Sequence, residues 1–420
     1  MQWVSGLFLL LIWGSVSASA SQATNFGLEA KSAGRAGSVT ADPSVSQAAI
    51  FNPALLGAQS LAKLSFATSQ TEVALESSNA TPLPSLSQTR WTLGVNIPLQ
   101  LKRLSRKAGL GFSASGPYEK LRGFVAYSPE DFFNPRYGHA DGQFKGTTSF
   151  GIELIPDSLF VGAGLSLYLS GAGNAETQLS ETPTSRMSLD VVLRSAPVLG
   201  VYSHWGDFAS ALTFHEAINP QLEQGIQAKI RLNGRDSFEQ PLLMRSSLYY
   251  EPRMLEWDLE HRTQSVVLSM GLSYQFWSGY ESPILLTETP DLLGNEYRTL
   301  QPKLTSRNTL NPRASLNYQF NSELLSSLGY QYRPTPFPEL SDSGSHALDS
   351  NTHVIGLSLE KRFLKPAVLE TPLTLGVFGQ MHRFTKRTLA PQTQDSKKPP
   401  AAFDFTGNAY SVGISAQADL

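Results

Sequence analysis

The chain has 420 residues, a formal net charge of -2 and no cysteine. The near-neutral charge argues against nucleic acid as a partner, because neutralising phosphates requires a basic face. Without cysteine an exported chain has no disulfide framework, so its stability must come from another source. Charged residues are only 16% and aromatic residues are 10%, with 33 glycines and 26 prolines. This composition excludes both a disordered tail and a collagen-like chain.

The first 20 residues have the pattern of a secretory signal peptide. Positions 4–16 are mostly apolar, and Ala18-Ser19-Ala20 offers the small residues that a signal peptidase requires. The chain start carries no Lys or Arg before the apolar run. We predict cleavage after Ala20. The alternative, a retained membrane anchor, is disfavoured because the apolar run is shorter than the ~20 residues that a span needs.

Residues 25–57 are rich in Ala, Gly and Ser and show neither helical nor strand periodicity over most of their length. The stretch ends soon after Asn52-Pro53-Ala54, where the proline fixes φ and removes a backbone donor. A segment of this kind cannot stabilise itself. We therefore predict that residues 21–60 form a plug, enclosed by whatever residues 61–420 build.

Beyond residue 60 the apolar pattern has period two, which is typical of strands with two different faces. The intervening positions are small or polar, as expected for a sheet with lipid on one face and a wet lumen on the other. Hydrocarbon cannot satisfy backbone N–H and C=O groups, so a spanning sheet must close on itself. The sequence therefore predicts an all-β fold, a transmembrane antiparallel β-barrel of about 14 strands.

The connections between the predicted strands alternate in length. Short turns are predicted at 102–107, 156–158, 204–207, 257–264, 321–323 and 364–372, and longer loops at the opposite end. Short periplasmic turns against long extracellular loops are typical of bacterial outer-membrane barrels. A soluble secreted sandwich or propeller, the alternative architecture, does not explain this asymmetry. The predicted strands are 62–76, 91–101, 108–114, 150–154, 159–169, 187–203, 208–218, 242–256, 266–276, 310–320, 324–333, 355–359, 373–377 and 410–420.

Three groups of residues resemble one known family in order and spacing. They are Gly34-Arg35-Ala36 with Asn52-Pro53-Ala54, the aromatic strand end at 274–280, and the segments 329–338 and 349–353. Together they resemble the FadL/TodX-type outer-membrane transporters of long-chain fatty acids and other hydrophobic compounds. Between roughly 117 and 260 no motif matches. The resemblance implies a fourteen-stranded barrel, an N-terminal hatch in the lumen, passive uptake, and lateral exit at a kinked strand.

Aromatic residues supply the candidate ligand contacts. Phe132, Phe133 and Tyr137 lie in a long outward loop that has no need of them in solvent, which favours a first capture site. The alternatives are self-packing of the loop and contact with lipopolysaccharide. Phe26 is a candidate for a deeper lumenal pocket, and the alternative is a disordered chain start.

The plug and the wall supply the candidate gating residues. Arg35, between Gly34 and Ala36, is a candidate partner for lumenal carboxylates or a ligand headgroup, with a structural salt bridge as the other reading. Asn52-Pro53-Ala54 is either a conformational fulcrum or a rigid turn. Gly116-Pro117 is a candidate wall opening, because proline cannot donate to the ladder and glycine weakens pairing. Such pairs also simply end strands.

Catalysis is the competing class of function. The seven histidines are scattered singly, with no His-x-x-x-His pair and no Gly-x-Ser-x-Gly motif. We therefore expect no enzyme activity, no metal and no cofactor. The expected partners are a fatty acid-like hydrophobic ligand, outer-membrane lipid, lipopolysaccharide and the outer-membrane assembly machinery. The last predicted strand ends on the apolar Leu420, which is the form that an outer-membrane assembly signal takes. We expect a monomer, and a structural or adhesive barrel without a transport role remains the alternative function.

Overall fold

The computed structural model describes most of the chain after residue 24, and the predicted signal peptide lies outside the described residues. The elements below refer to this part of the chain. The described ranges are 25–79, 81–101, 105–118, 131–137, 144–179, 184–232, 235–247, 249–283, 286–290, 296–298, 304–338, 346–366, 370–390 and 402–420.

Fourteen strands form a closed antiparallel ring, because each pairs with the next and the last pairs with the first. Closure leaves no free edge, which confirms the predicted fold class. The ring strands are β1 Lys63–Ser77, β2 Leu86–Leu101, β3 Arg106–Pro117, β4 Lys145–Ile155, β5 Leu159–Leu179, β6 Thr184–Trp205, β7 Phe208–His215, β10 Arg253–Arg262, β11 Val266–Phe276, β14 Thr309–Gln319, β15 Leu324–Arg333, β16 Thr352–Phe363, β17 Leu373–Leu389 and β18 Phe403–Asp419.

Four further strands extend the sheet beyond the ring: β8 Gln221–Leu232, β9 Arg235–Ser247, β12 Leu286–Pro290 and β13 Glu296–Arg298. β8 runs parallel to the protruding part of β5, and β9, β12 and β13 follow in antiparallel order. These strands belong to the long connections, so we call this side the long-loop end. The opposite side, with turns at 156–158, 206–207 and 320–323, is the short-turn end.

The two faces of the ring have opposite polarity. On β11 the outward Leu268 and Met270 are 51% and 60% exposed, whereas the inward Ser269 and Ser273 are buried. Large apolar side chains are likewise exposed on most of the other ring strands. A continuous apolar outer face is the pattern of a barrel whose outside contacts lipid. Within the described residues, no helix is long and apolar enough to cross a bilayer.

Two predicted boundaries are wrong. The predicted strand 242–256 joins the end of β9 to the start of β10, and the predicted turn 257–264 is strand as far as Arg262. Charged residues at every second position of β10 face the lumen, so they do not mark a turn. One of the longer loops predicted at the opposite end, between the predicted strands 159–169 and 187–203, is largely strand as well, because β5 and β6 continue beyond the ring as a paired hairpin.

The N-terminal segment, defined as residues 25–60, lies inside the ring. It contains three short helices, α1 Ala30–Gly34, α2 Ala48–Phe51 and α3 Leu55–Ala58. α1 contacts β15 to β18, whereas α3 contacts β2 to β5. These strands lie on different sides of a closed ring, so the segment crosses the lumen. Most of its residues are fully buried.

Candidate functional site in the barrel lumen

Arg35 joins the N-terminal segment to the wall. Its guanidinium is fully buried and forms ion pairs with Asp42 of the same segment, at 2.8 Å, and with Glu260 of β10. Its Nε donates to Ser315 Oγ of β14. Burial raises the pKa of the Asp42 carboxyl, but the nearby cations Lys31, Arg35 and Arg262 outweigh this and hold the pKa below its ordinary range. Asp42 is therefore a charged partner of Arg35.

A second group of contacts centres on Asp258 of β10. Thr40 donates to Asp258 Oδ2 from its backbone N–H, at 3.0 Å, and from its hydroxyl, at 2.8 Å. Arg313 of β14 donates to both oxygens of the same carboxylate, and also to Glu256. Buried charges are costly unless they are paired, and here each one contacts an opposite charge. The β10–β14 side of the lumen therefore holds the segment electrostatically.

Asn52 holds the segment to itself and to the wall at once. Its side-chain amide donates to the carbonyl of Thr40, at 2.9 Å, and to that of Val201 in β6, at 3.2 Å. Its Oδ1 accepts from the N–H of Ala54, the residue preceding α3. Pro53 between them has no N–H to satisfy. The motif is thus a turn fixed to β6, and its predicted gating role stays a prediction.

A row of four glycines receives this turn. Gly109, Gly151, Gly162 and Gly200 are direct cross-strand partners along β3, β4, β5 and β6. A Cβ at any of them would overlap Asn52, Pro53 or Leu56. We call these residues the glycine row. Side chains there would prevent the close approach of the N-terminal segment to the wall.

Arg35 and its neighbours pack equally closely on the other side. Gly329 of β15 and Gly356 of β16 are also direct partners, and a Cβ on either would overlap the backbone between Ala33 and Ala36. Gly34 itself packs against Ser358. Ala36 has a positive φ of 48°, which lets the chain turn out of α1.

The first residues of the segment lie in different surroundings. Phe26 is buried and packs on His382 of β17, with ring centroids 4.3 Å apart, and on Tyr137 of the long loop. The Tyr137 hydroxyl is hydrogen-bonded to His382 Nδ1 at 2.8 Å. We call Phe26, Tyr137, Phe384, Val73 and Ala409 the inner cluster. The structure thus brings together Phe26 and Tyr137, two of the predicted ligand-contact residues.

A second aromatic group closes the long-loop end. The loop cluster consists of Phe133, Tyr250, Trp277, Phe337, Ala347, Leu348, Leu389, Phe403 and Phe405, with Phe132 and Tyr280 packed against it. Phe133 is fully buried, and Phe132 is half-buried beside Phe403. Trp277 and Phe337 come from the segments 274–280 and 329–338, and their ring centroids lie 5.9 Å apart.

Gly116 and Pro117 lie at the long-loop end of β3. They remain paired in register with Trp91 and Arg90 of β2, but the described β3–β4 ladder ends at Ser115. The described register shifts lie elsewhere, in β4–β5, in β8–β9 and in β17–β18. A wall opening at Gly116-Pro117 stays a prediction.

A polar cavity of about 510 Å³ lies under the N-terminal segment at the short-turn end. Its lining includes Lys31, Asp42, Arg262, Glu360 and Arg362. The lumen is therefore charged at this end and aromatic near the other. In the part of the chain that the structure describes, no cluster of His, Cys, Asp or Glu is placed to hold a metal ion.

Several contact residues escaped the sequence reading. Glu256, Asp258 and Glu260 of β10 point inward. They alternate with the outward Leu255, Trp257 and Leu259, so the period-two pattern is present, but the charged residues make it look like a turn. The glycine row was visible only as single inward glycines in four strands. His382 carried no sequence signal, because its role depends on cross-strand neighbours.

The comparisons with solved structures agree on one architecture. A Pseudomonas aeruginosa FadL homologue matches with a TM-score of 0.64 at 14% identity, covering 93% of this chain and 98% of that one. The P. putida toluene transporter TodX matches with 0.57 at 12% identity, covering 94% and 99%. The chain has the FadL/TodX fold. The Ralstonia pickettii toluene transporter TbuX gives 0.51 at 13% identity, covering 94% and 99%. No protein-family model and no curated protein matches the sequence.

Proposed function

We propose that this protein is a FadL/TodX-type channel of the bacterial outer membrane, through which hydrophobic small molecules diffuse inward without energy input. It is exported by its signal peptide, inserts as a monomer with the long-loop end outward, and performs no chemical step. The structural neighbours include toluene transporters. The sequence motifs and the fold agree with this function. The strongest support comes from the side chains inside the barrel.

The observation that carries it is a contiguous set of apolar side chains that runs from the loops to the lumenal face of β1, β17 and β18. The half-buried Leu75 of β1 packs against both the loop cluster and the inner cluster, so the two are contiguous. A polar solute would gain nothing along such a path, whereas an apolar ligand is transferred out of water at every step. Phe132, Phe133 and Tyr137 are the proposed capture residues, and Phe26 lines the deeper site.

The N-terminal segment is the proposed plug. It crosses the lumen, and the contacts of Arg35 and Asn52 hold it to β10, β14 and β6. An unobstructed lumen of this width would pass water and polar solutes. The segment therefore blocks polar solutes, and the displacement of its first residues by a ligand opens the apolar path.

Exit through the wall fits the chemistry better than exit through the short-turn end. An apolar ligand that left through the short-turn end would have to enter the charged cavity beside Asp42, Arg262 and Glu360. Leaving sideways keeps it in apolar surroundings. The end of the β3–β4 ladder at Gly116-Pro117 is the proposed opening, because these two residues have described ladder partners on β2 only.

Long-chain fatty acids are the first ligands to test, and monoaromatic hydrocarbons are the second. Uptake of a labelled ligand of each class is measured in a strain lacking the gene and in the same strain with the gene restored. We expect uptake of at least one class to fall and to return with the intact gene. Unchanged uptake of both classes would favour a structural or adhesive barrel, the competing function.

A further inference from the structure

The outer face of β15 to β18 changes from apolar to polar between two adjacent rows of residues near the long-loop end. The lower row runs through the cross-strand partners Tyr330, Ile355, Met381 and Tyr410. Tyr330, Ile355 and Tyr410 are all 43–48% exposed. Aromatic side chains at the edge of an apolar band mark the boundary between hydrocarbon and headgroups.

The next row outward carries an arginine. Arg383 of β17 pairs with His353 of β16 on one side and with Asn408 of β18 on the other. Its side chain is exposed. Within the described part of the chain, its guanidinium makes no hydrogen bond or ion pair. A cation at this level therefore lies directly above the apolar band.

An irregularity in β17 adds a second cation to the same face. The β17–β18 register shifts between Phe384 and Arg387, so the inward and outward positions exchange along β17. Arg387 consequently turns inward and donates to the carbonyls of Phe337 and Pro338. Lys386 turns outward, with 71% of its side chain exposed and a 2.7 Å ion pair to Asp404. Bulges commonly re-aim side chains in this way.

We propose that Arg383, three residues before Lys386 on β17, binds a phosphate of a phosphorylated glycolipid in the outer leaflet. Met381, Ile355 and Tyr410 then contact the acyl chains of the same molecule. The inference rests on the proposed orientation, with the long-loop end at the cell surface. A guanidinium binds phosphate through paired N–H donors, and the exposed tyrosines offer flat apolar contacts just below it.

The probe is lipid A that carries both phosphates, compared with dephosphorylated lipid A of the same acyl composition. Each is added to the purified, delipidated full chain in detergent, and retention is counted by native mass spectrometry. We expect the phosphorylated form to be retained better by the wild type, and Arg383→Gln to lower its retention by about fivefold, the effect of one cation at a charged lipid surface. Arg383→Lys should retain an intermediate amount, since the charge stays but the paired donors are lost.

Two matched controls keep this test specific. Arg253→Gln removes an exposed arginine of β10 that is already paired with Glu216, and Lys361→Gln removes an outward cation near the short-turn end of β16. Neither should lower retention. Equal retention by the wild type and Arg383→Gln, or equal retention of the two lipid forms, would overturn the proposal. The assay needs no transport, so its failure leaves the uptake proposal intact, and a failure of uptake leaves glycolipid retention measurable.

Discussion

The N-terminal segment is held in two different ways along its length. Near its start, Phe26 contacts aromatic side chains of the loop and the wall, and the preceding Asn25 donates to the carbonyl of Arg136 and accepts from Arg333. Farther on, Arg35 and Asn52 make directional polar contacts, and Pro53 rests on the glycine row. Apolar contacts exchange readily with an apolar ligand, whereas a buried ion pair cannot be replaced by one. We therefore propose that a ligand acts at Phe26, while the contacts of Arg35 and Asn52 keep the lumen closed.

Removing the buried cation should produce the largest effect. Arg35→Met removes the fully buried cation between Asp42 and Glu260 and leaves Arg262 as the remaining guanidinium beside them, a loss of up to about 3–5 kcal/mol in the docking of the segment. We expect protease cleavage within residues 25–60 and leakage of small polar solutes from vesicles. Lys107→Met, which removes the exposed pair with Asp157, is the control and should leave the docking of the segment unchanged. Equal leakage by the two variants would contradict the claim that the polar contacts of Arg35 keep the lumen closed.

The next largest effect should come from the glycine row. Gly162→Val places a side chain where Pro53 now lies, an overpacking that costs about 1–3 kcal/mol. We expect the turn at Asn52 to be displaced and polar leakage to rise, though less than in Arg35→Met. Gly379→Val is the control, because a Cβ there makes only ordinary contacts at 3.8 Å. If Gly162→Val left polar leakage unchanged, the close approach of Pro53 to the wall would have no role in closing the lumen.

A substitution near the start of the segment should lower uptake of an apolar ligand and leave the leakage of polar solutes unchanged. Phe26→Ala removes ring contacts with Tyr137 and His382 worth about 1 kcal/mol, so uptake of an apolar ligand should fall roughly fivefold. Leakage of polar solutes should stay at the level of the intact protein. If leakage rose as much as in Arg35→Met, the two parts of the segment would not differ in role.

The wall substitutions should have the smallest effect. Gly116→Val with Pro117→Val restores strand-forming residues at the end of β3, a change of about 1 kcal/mol in favour of a closed wall. Apolar uptake should fall modestly, measured with the same labelled ligand, and polar leakage should not change. Pro98→Val, within β2, is the matched control. An unchanged uptake would place the exit elsewhere.

The barrel itself was largely readable from the sequence, because alternation has a fixed period and needs no knowledge of partners. The turn at 156–158 coincides with the prediction, and the predicted strand 91–101 lies within β2, which begins at Leu86. β10 was misplaced because its inward positions are Glu256, Asp258 and Glu260, which resemble a turn until their partners are known. The strands beyond the ring were not predicted, since their pairing depends on contacts far along the chain.

The lumenal contacts were less readable than the wall. Arg35 and the Asn52 motif stood out as residues, but the partner of Arg35 lies 225 positions away, at Glu260. Which inward side chains meet depends on how the ring closes and on the register of each strand. Tyr137 and Phe26 were each singled out, whereas their common neighbour His382 was not.

The most direct test of the account is the ion conductance of a variant lacking residues 25–49, inserted in a planar bilayer beside the intact protein. Heat-modifiable migration on a gel first establishes that the variant barrel is folded. We predict a stable conductance for the variant and almost none for the intact protein, because the deletion removes Arg35, all of α1 and the first two residues of α2. Equal conductance of the two proteins would contradict the claim that the N-terminal segment closes the barrel.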